Sequence, residues 1–145
     1  GPPNRVLEVA VQRTLARGVP VVAAAGNGGR AAPPAHPAAV EGVLGATALS
    51  SDNRVYWRAG QGPAVDFALP GVGLPLPQAD GSLRARSGTS YAVPYLVALI
   101  SQSLAEGRVS VTDWRRGEGI ATLDLGVPGR DDTFGWGLPR LALSC

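Results

Sequence analysis

From residue 5 to residue 17 the apolar side chains recur every three or four positions. Val6, Leu7, Ala10, Val11, Thr14 and Leu15 fall on one stripe, with Arg5, Glu8, Gln12 and Arg13 off it. That period predicts an amphipathic helix. Asn4 stands where an N-cap belongs and Gly18 where a helix stops. The pattern then changes. Residues 19–25 are short, uncharged and continuous, as in a strand buried on both faces of a parallel sheet. Helix, glycine and buried strand make half of a βαβ unit. Residues 43–48 predict a second buried strand, and residues 64–68 a third, ended by Pro70-Gly71. Residues 81–86 read as half of a hairpin. Residues 89–104 predict a second long helix. Its run Tyr91, Ala92, Val93, Tyr95, Leu96, Val97, Leu99 and Ile100 is apolar almost all round, which predicts burial. A short helix is expected over 112–116.

Between these elements, residues 26–37 are rich in Gly, Pro and Ala, and residues 126–141 are turn-rich. No repeat, linker or low-complexity block interrupts the chain. At 145 residues, with 45% hydrophobic content, it reads as one unit of α/β type. It is expected to be one domain or part of one.

Charge removes several functions. Thirteen basic and eleven acidic residues leave a net +2. All the basic residues are arginine, scattered singly except for Arg115-Arg116, with no interleaved aromatics. Nucleic-acid binding is therefore not expected. The absence of lysine excludes a Walker A site, a Schiff base and a Ser-x-x-Lys hydrolase. The one cysteine, Cys145, has no internal partner, and one Cys with one His makes no zinc cluster. No apolar run is long enough for a membrane span, and residues 1–4 carry neither a start Met nor a signal peptide. The start therefore reads as a cut.

Two segments carry candidate chemistry. In residues 86–94, Arg-Ser-Gly-Thr-Ser-Tyr-Ala-Val-Pro, Ser90 sits where a loop becomes the apolar helix. The first N–H groups of a helix have no partner within it, and the dipole is positive there. A serine at that point can aim its N–H at a developing oxyanion. Gly88 allows close approach of a substrate, and Pro94 falls in the first turn, where its missing N–H costs little. The plainer reading is that Thr89 or Ser90 only caps the helix. In residues 23–28, Ala-Ala-Ala-Gly-Asn-Gly, a buried strand ends in Gly26 and Asn27. Ligands of open α/β sheets bind beyond the carboxyl ends of strands, where an Asn amide is a ready donor. The plainer reading is an Asn-Gly turn.

Together and in order, these segments resemble the subtilisin-like serine peptidase (subtilase) family over nearly the whole chain. Gly1-Pro2-Pro3 resembles the end of the family's substrate-binding strand. Residues 21–27 resemble the segment with the oxyanion Asn, and residues 34–38 the stretch closing the S1 pocket. Residues 65–71, Val-Asp-Phe-Ala-Leu-Pro-Gly, and 87–94, Ser-Gly-Thr-Ser-Tyr-Ala-Val-Pro, resemble the Pro-Gly and nucleophile motifs. Phe134-Gly135-Trp136-Gly137 resembles the closing Gly-x-Gly. The resemblance implies part of a parallel-sheet, three-layer fold with a buried helix starting at the nucleophile. It implies peptide-bond hydrolysis through an acyl-enzyme. Ser90 would be the nucleophile and Asn27 an oxyanion donor. Ala24, Ala25 and Gly26, with His36, would wall the substrate pocket.

The same resemblance implies what lies elsewhere. The family order is Asp, then His, then Ser, and the first two precede the Asn. His36 lies between Asn27 and Ser90, where the family carries a pocket-wall aromatic, so it is not read as the base. It either tunes the pocket or packs as a flat ring. Asp66 is read as structural. The expected state is the C-terminal portion of a catalytic domain, inactive alone. Its partners would be a peptide or protein substrate, and the N-terminal half of the same protein or a homodimeric or swapped copy. No cofactor is expected. Calcium is a family habit without an identifiable site here. Family habit places such proteins outside the cytoplasm, secreted or in the cell envelope. Two competing readings are a non-catalytic domain that kept the fold and a nucleotide-binding α/β domain. The latter is weakened because Gly26-Asn27-Gly28-Gly29 lacks G-x-G-x-x-G spacing.

Overall fold

The computed structural model describes residues 1–32 and 35–140. Pro34 of the predicted pocket stretch, and residue 141 and Cys145 of the tail, lie outside them. The first helix, α1, spans Arg5–Leu15. The Asn4 side chain accepts from the Leu7 N–H at 3.0 Å, as the cap reading required. Strand β1 (Val22–Ala24) follows, then β2 (Leu44–Leu49) and β3 (Phe67–Pro70). All three are parallel, in the order β1-β2-β3. Ala23 faces Gly45, and Thr47 faces Ala68. The third strand begins three residues later than its apolar alternation suggested, because Asp66 is held below the strand rather than in it.

All six residues of β2 are buried, since it is the central strand with side chains on both faces. Leu44, Ala46 and Ala48 pack with Phe67, Leu69, Leu96, Ile100 and Trp114. Val11 of α1 packs on a separate cluster with Ala23, Ala38, Val40 and Val43. The two clusters flank one sheet, giving the α/β layering expected. The second helix, α2, spans Val93–Ala105, and α3 spans Val111–Arg116 with a Ser110–Asp113 capping box. Phe67 meets Trp114 edge to face at 5.3 Å, which joins α3 to the sheet.

The hairpin is β4 (Leu74–Pro77) paired with β5 (Leu83–Arg86). Proline at two of four positions concealed β4 from the sequence. These prolines alternate with Leu74 and Leu76 and have exposed side chains, while the leucines are half-buried. A last pair, β6 (Thr122–Leu123) and β7 (Leu138–Pro139), closes the chain beside β3.

Burial differs from the sequence expectation in two places. In α1 only Val11 is buried; Val6 is 81% exposed. In α2, Leu96 and Ile100 are buried while Tyr95, Val97 and Leu104 face outward. The apolar period places both helices correctly, but these residues supply a neighbour for only one face of each. Likewise β1 is paired on one side only, with β2.

Candidate active site

Strand β1 delivers Ala25, Gly26 and Asn27 at its carboxyl end. Ala25 N–H donates to Ala46 O at 2.9 Å, and Gly60 N–H donates to Gly26 O at 2.8 Å, so the chain is held on both sides as it leaves the sheet. Gly26 has φ +104, a backbone region that side chains rarely allow, and a Cβ there would come within 2.9 Å of Ala35 Cβ. The turn is therefore built for glycine, and it directs Asn27 outward.

The second segment reaches the same place from β3. Gly88 N–H donates to Gly71 O at 2.8 Å, and Thr89–Tyr91 form one turn of 3-10 helix before α2. Pro94 is the second residue of α2. No side chain caps either helical segment, so the capping reading of Thr89 and Ser90 is replaced by another arrangement. Thr89 is fully buried, and its N–H donates to Asn27 Oδ1 at 3.0 Å. Its hydroxyl donates to the same oxygen at 3.2 Å and accepts from Gly26 N–H at 3.2 Å. A backbone N–H can only donate, so the Asn27 atom facing Thr89 must be the carbonyl oxygen. The Nδ2 group is thereby turned the other way, and it has no acceptor among the described residues.

Ser90 is exposed and follows Thr89 directly. Its N–H is the second of the helical turn, after that of Thr89, and finds no acceptor among the described residues, as the geometry of a helix start allows. Its hydroxyl is likewise unpaired among them. The structure thus brings the two sequence-predicted donors, Asn27 and Ser90, to one locality through Thr89. Sequence reasoning missed Thr89 as the residue that orients Asn27. The available signal was a hydroxyl immediately before the serine, and it was read as a cap.

A cavity of about 530 Å³ opens beside Asn27, lined by residues 1–3, Ala25, Gly26, Gly28, Ala32, Ala35, His36, Ala39 and Gly60. Of the expected wall residues, Ala25, Gly26 and His36 line it; Ala24 lies within β1 and does not. His36 N–H donates to Gly1 O at 2.9 Å, so residues 1–3 run along the cavity. Among the described residues no acidic side chain lines it.

Asp66 sits apart, below the amino end of β3. Its carboxylate accepts from Gly45 N–H at 2.7 Å and lies 3.5 Å from the Arg130 guanidinium. Burial pushes its carboxyl above the usual value, against the Gly45 hydrogen bond and the Arg130 charge. Gly135 and Trp136 close over it, and Trp136 N–H donates to Asp66 O at 2.7 Å. That contact explains the Phe-Gly-Trp-Gly motif structurally. Among the described residues no group of three or more His, Cys, Asp or Glu side chains could hold a metal ion. Among the described residues no helix is long and apolar enough to cross a membrane.

A profile of the subtilase family matches residues 1–137. The chain is 32% identical over 139 residues to the minor extracellular protease Epr of Bacillus subtilis, covering 93% of this chain and 21% of that protein. It is 32% identical over 103 residues to subtilisin BL of Lederbergia lenta, covering 69% of this chain and 38% of that protein. Among solved structures it is similar to S41 psychrophilic protease, with a TM-score of 0.82 over 97% of this chain and 54% of that one, at 23% identity. At that identity the likeness concerns the fold. The chain spans about a fifth to two fifths of these curated relatives.

Proposed function

Because this chain belongs to the subtilase family, we propose that it supplies the nucleophile and the oxyanion site of a serine peptidase. The observation that carries this reading is the Thr89–Asn27 pair. Two donors from Thr89 hold Asn27 Oδ1, and the unpaired Nδ2 lies close to Gly88, two residues before Ser90. In the proposed reaction Ser90 Oγ attacks the scissile carbonyl of a bound peptide. The Asn27 amide and the Ser90 N–H donate to the oxygen as it becomes charged, fixed in place before the reaction begins. The Ser90 proton passes to a general base, which later protonates the leaving amine. No cofactor takes part.

His36 is not that base in this reading. It lines the side-chain cavity and hydrogen-bonds through its backbone to Gly1. The base and its orienting carboxylate are assigned to an upstream part of the parent polypeptide. Unsatisfied surfaces support that assignment. The open edge of β1 is one. A second is an apolar groove of about 300 Å³ lined by Leu74, Leu76, Tyr91, Pro94, Tyr95 and Ala98, beginning one residue from Ser90. An upstream segment seated there would cover α2 and reach the serine hydroxyl. The solved relative has nearly as much chain again outside the matched part, enough for such a segment. The parent protein is proposed to act outside the cytoplasm, on peptide or protein substrates.

Labelling by a fluorophosphonate tests the reading. The parent protein should label at Ser90 and its Ser90→Ala variant should not, while the 145-residue chain alone should remain unlabelled. A parent with upstream Asp and His motifs that fails to label would make this fold a binding module instead. Labelling of the isolated chain would overturn the assignment of the base. Light scattering should find the chain alone self-associated; a monodisperse monomer would count against the exposed surfaces being interfaces.

A further inference from the structure

The cavity beside Asn27 has an unusual lining for its size. Beside Asn27, its lining includes Ala25, Gly26, Gly28, Ala32, Ala35, Ala39 and Gly60, none of which offers a polar side chain. Against them stands one imidazole, His36, half-buried at the rim of the strand-like run formed by residues 1–3. No carboxylate or guanidinium lines the cavity among the described residues. Among them the other ionisable group there is the Gly1 amino group, which donates to the His36 carbonyl at 3.0 Å.

We propose that His36 makes this cavity a reader of acidic side chains, favouring glutamate over glutamine at the substrate position preceding the cleaved bond while the imidazole is protonated. The inference rests on the reading of the cavity as the substrate pocket of Ser90. Its physical basis is mutual desolvation. A protonated imidazole among alanines and glycines has no counter-ion, and a substrate carboxylate entering the same space meets, beside the neutral Asn27 amide, one charged side chain among the described residues, that imidazole. Each charge makes the other easier to bury. By linkage, an acidic ligand favours the protonated ring and the protonated ring favours the acidic ligand by the same factor. The preference therefore disappears as rising pH removes the ring's proton. The cavity accommodates the side chain because its small walls leave about 530 Å³ open.

His36 is the chain's only histidine, so a single imidazole resonance reports on it. The test titrates the 145-residue chain with N-acetyl-Ala-Ala-Pro-Glu, -Gln and -Phe, followed by NMR at several pH values. The terminal carboxylate is common to all three and cancels. The glutamate peptide should bind about tenfold better, relative to glutamine, at pH 5.5 than at pH 8. It alone should raise the pH at which the His36 ring titrates. His36→Gln and the flat-ring His36→Phe should both remove the pH step. A glutamate-to-glutamine ratio independent of pH, with Gly26 and Asn27 amide signals still moving on binding, would overturn this inference and leave the site reading intact. A step that survives in both variants would assign it to the Gly1 amino group and also overturn it. If no peptide moves the Gly26 or Asn27 signals, the site reading falls and the inference with it.

Discussion

The two ends of the parallel sheet treat their polar groups in opposite ways. At the amino end, Asp66 is held through both its backbone and its side chain. Its N–H donates to Gly45 O, its carbonyl accepts from Trp136, and its carboxylate meets Gly45 N–H and Arg130. At the carboxyl end, Asn27 is half used: Thr89 holds Oδ1, and Nδ2 is left over. The first arrangement ties backbone and side chain alike into the fold. The second is fixed in orientation and still has a donor to give. This asymmetry follows from the general geometry of open α/β sheets, in which ligands are met beyond the carboxyl ends. It also separates a structural polar residue from a working one without appeal to residue type.

The sharpest way to break the comparison is Asn27→Asp in the parent peptidase. Aspartate keeps both bonds from Thr89 but replaces the free donor with an oxygen that repels the oxyanion. Turnover should fall about 10²–10³-fold with little change in KM, the size on record for loss of an oxyanion asparagine in a member of this family. Steady-state kinetics would show it. Because Asn27 is exposed, the unfolding midpoint should barely move. A variant with unchanged turnover would remove Asn27 from the chemistry.

Placing one methyl group at each end gives the next contrast. Gly135 has φ +62, and a Cβ there would run into the backbone carbonyl of Asp66. Gly135→Ala should destabilise by about 3 kcal/mol through backbone strain and collision, read by urea denaturation. Gly88 has extended backbone, and a Cβ there would rest 3.6 Å from Asn27 Nδ2, an ordinary contact. Gly88→Ala should leave stability within about 0.5 kcal/mol yet lower kcat/KM of the parent, because the methyl covers the free donor.

Thr89→Val acts on the link itself. It strips Gly26 N–H of its acceptor and Asn27 Oδ1 of one donor, inside a fully buried position. The expected loss is about 1–3 kcal/mol of stability, the range for a buried donor left unpaired. Turnover should fall as well, since the amide is held by one bond instead of two. Thr89→Ser should restore both, and failure of that rescue would mean that the methyl group rather than the hydroxyl matters.

What the sequence made legible divides along the same line. Continuous apolar runs announced β1 and β2, and the three-to-four period announced α1 and α2, because burial imposes those patterns whatever the partner. The period could not say that only Val11 of the α1 stripe would be covered, since a stripe records a need for a neighbour and not its presence. Ser90 and Asn27 were legible as residue types at strand and helix ends. Their connection through Thr89 was not, because residues 27 and 89 meet only after two parallel crossovers. The strand β4 was hidden by Pro75 and Pro77, whose missing N–H groups are tolerable in a two-stranded hairpin with an open edge.

The smallest effect, and the one that tests the amino end, is in the pH dependence of stability. Burial raises the Asp66 carboxyl above its ordinary value, so the folded chain binds that proton more tightly than the unfolded chain. Its contribution is fully present below the unfolded value, near pH 3.9, and is lost as pH rises through the raised folded value. Asp52, Asp80 and Asp113 run the other way. Hydrogen bonds from Ser50, Ser82 and Ser110 lower them, so their contribution is present above the unfolded value and lost as pH falls. These three lie at the surface, so their share is slight. Urea midpoints of wild type and Asp66→Asn, compared from pH 3.5 to 7, isolate the buried group. Wild type should lose ground to the variant as pH rises from about 4. The opposite slope would mean that Arg130 and the Gly45 N–H outweigh burial. The amino end of the sheet would then be held by a charge pair rather than by a carboxyl that resists ionisation.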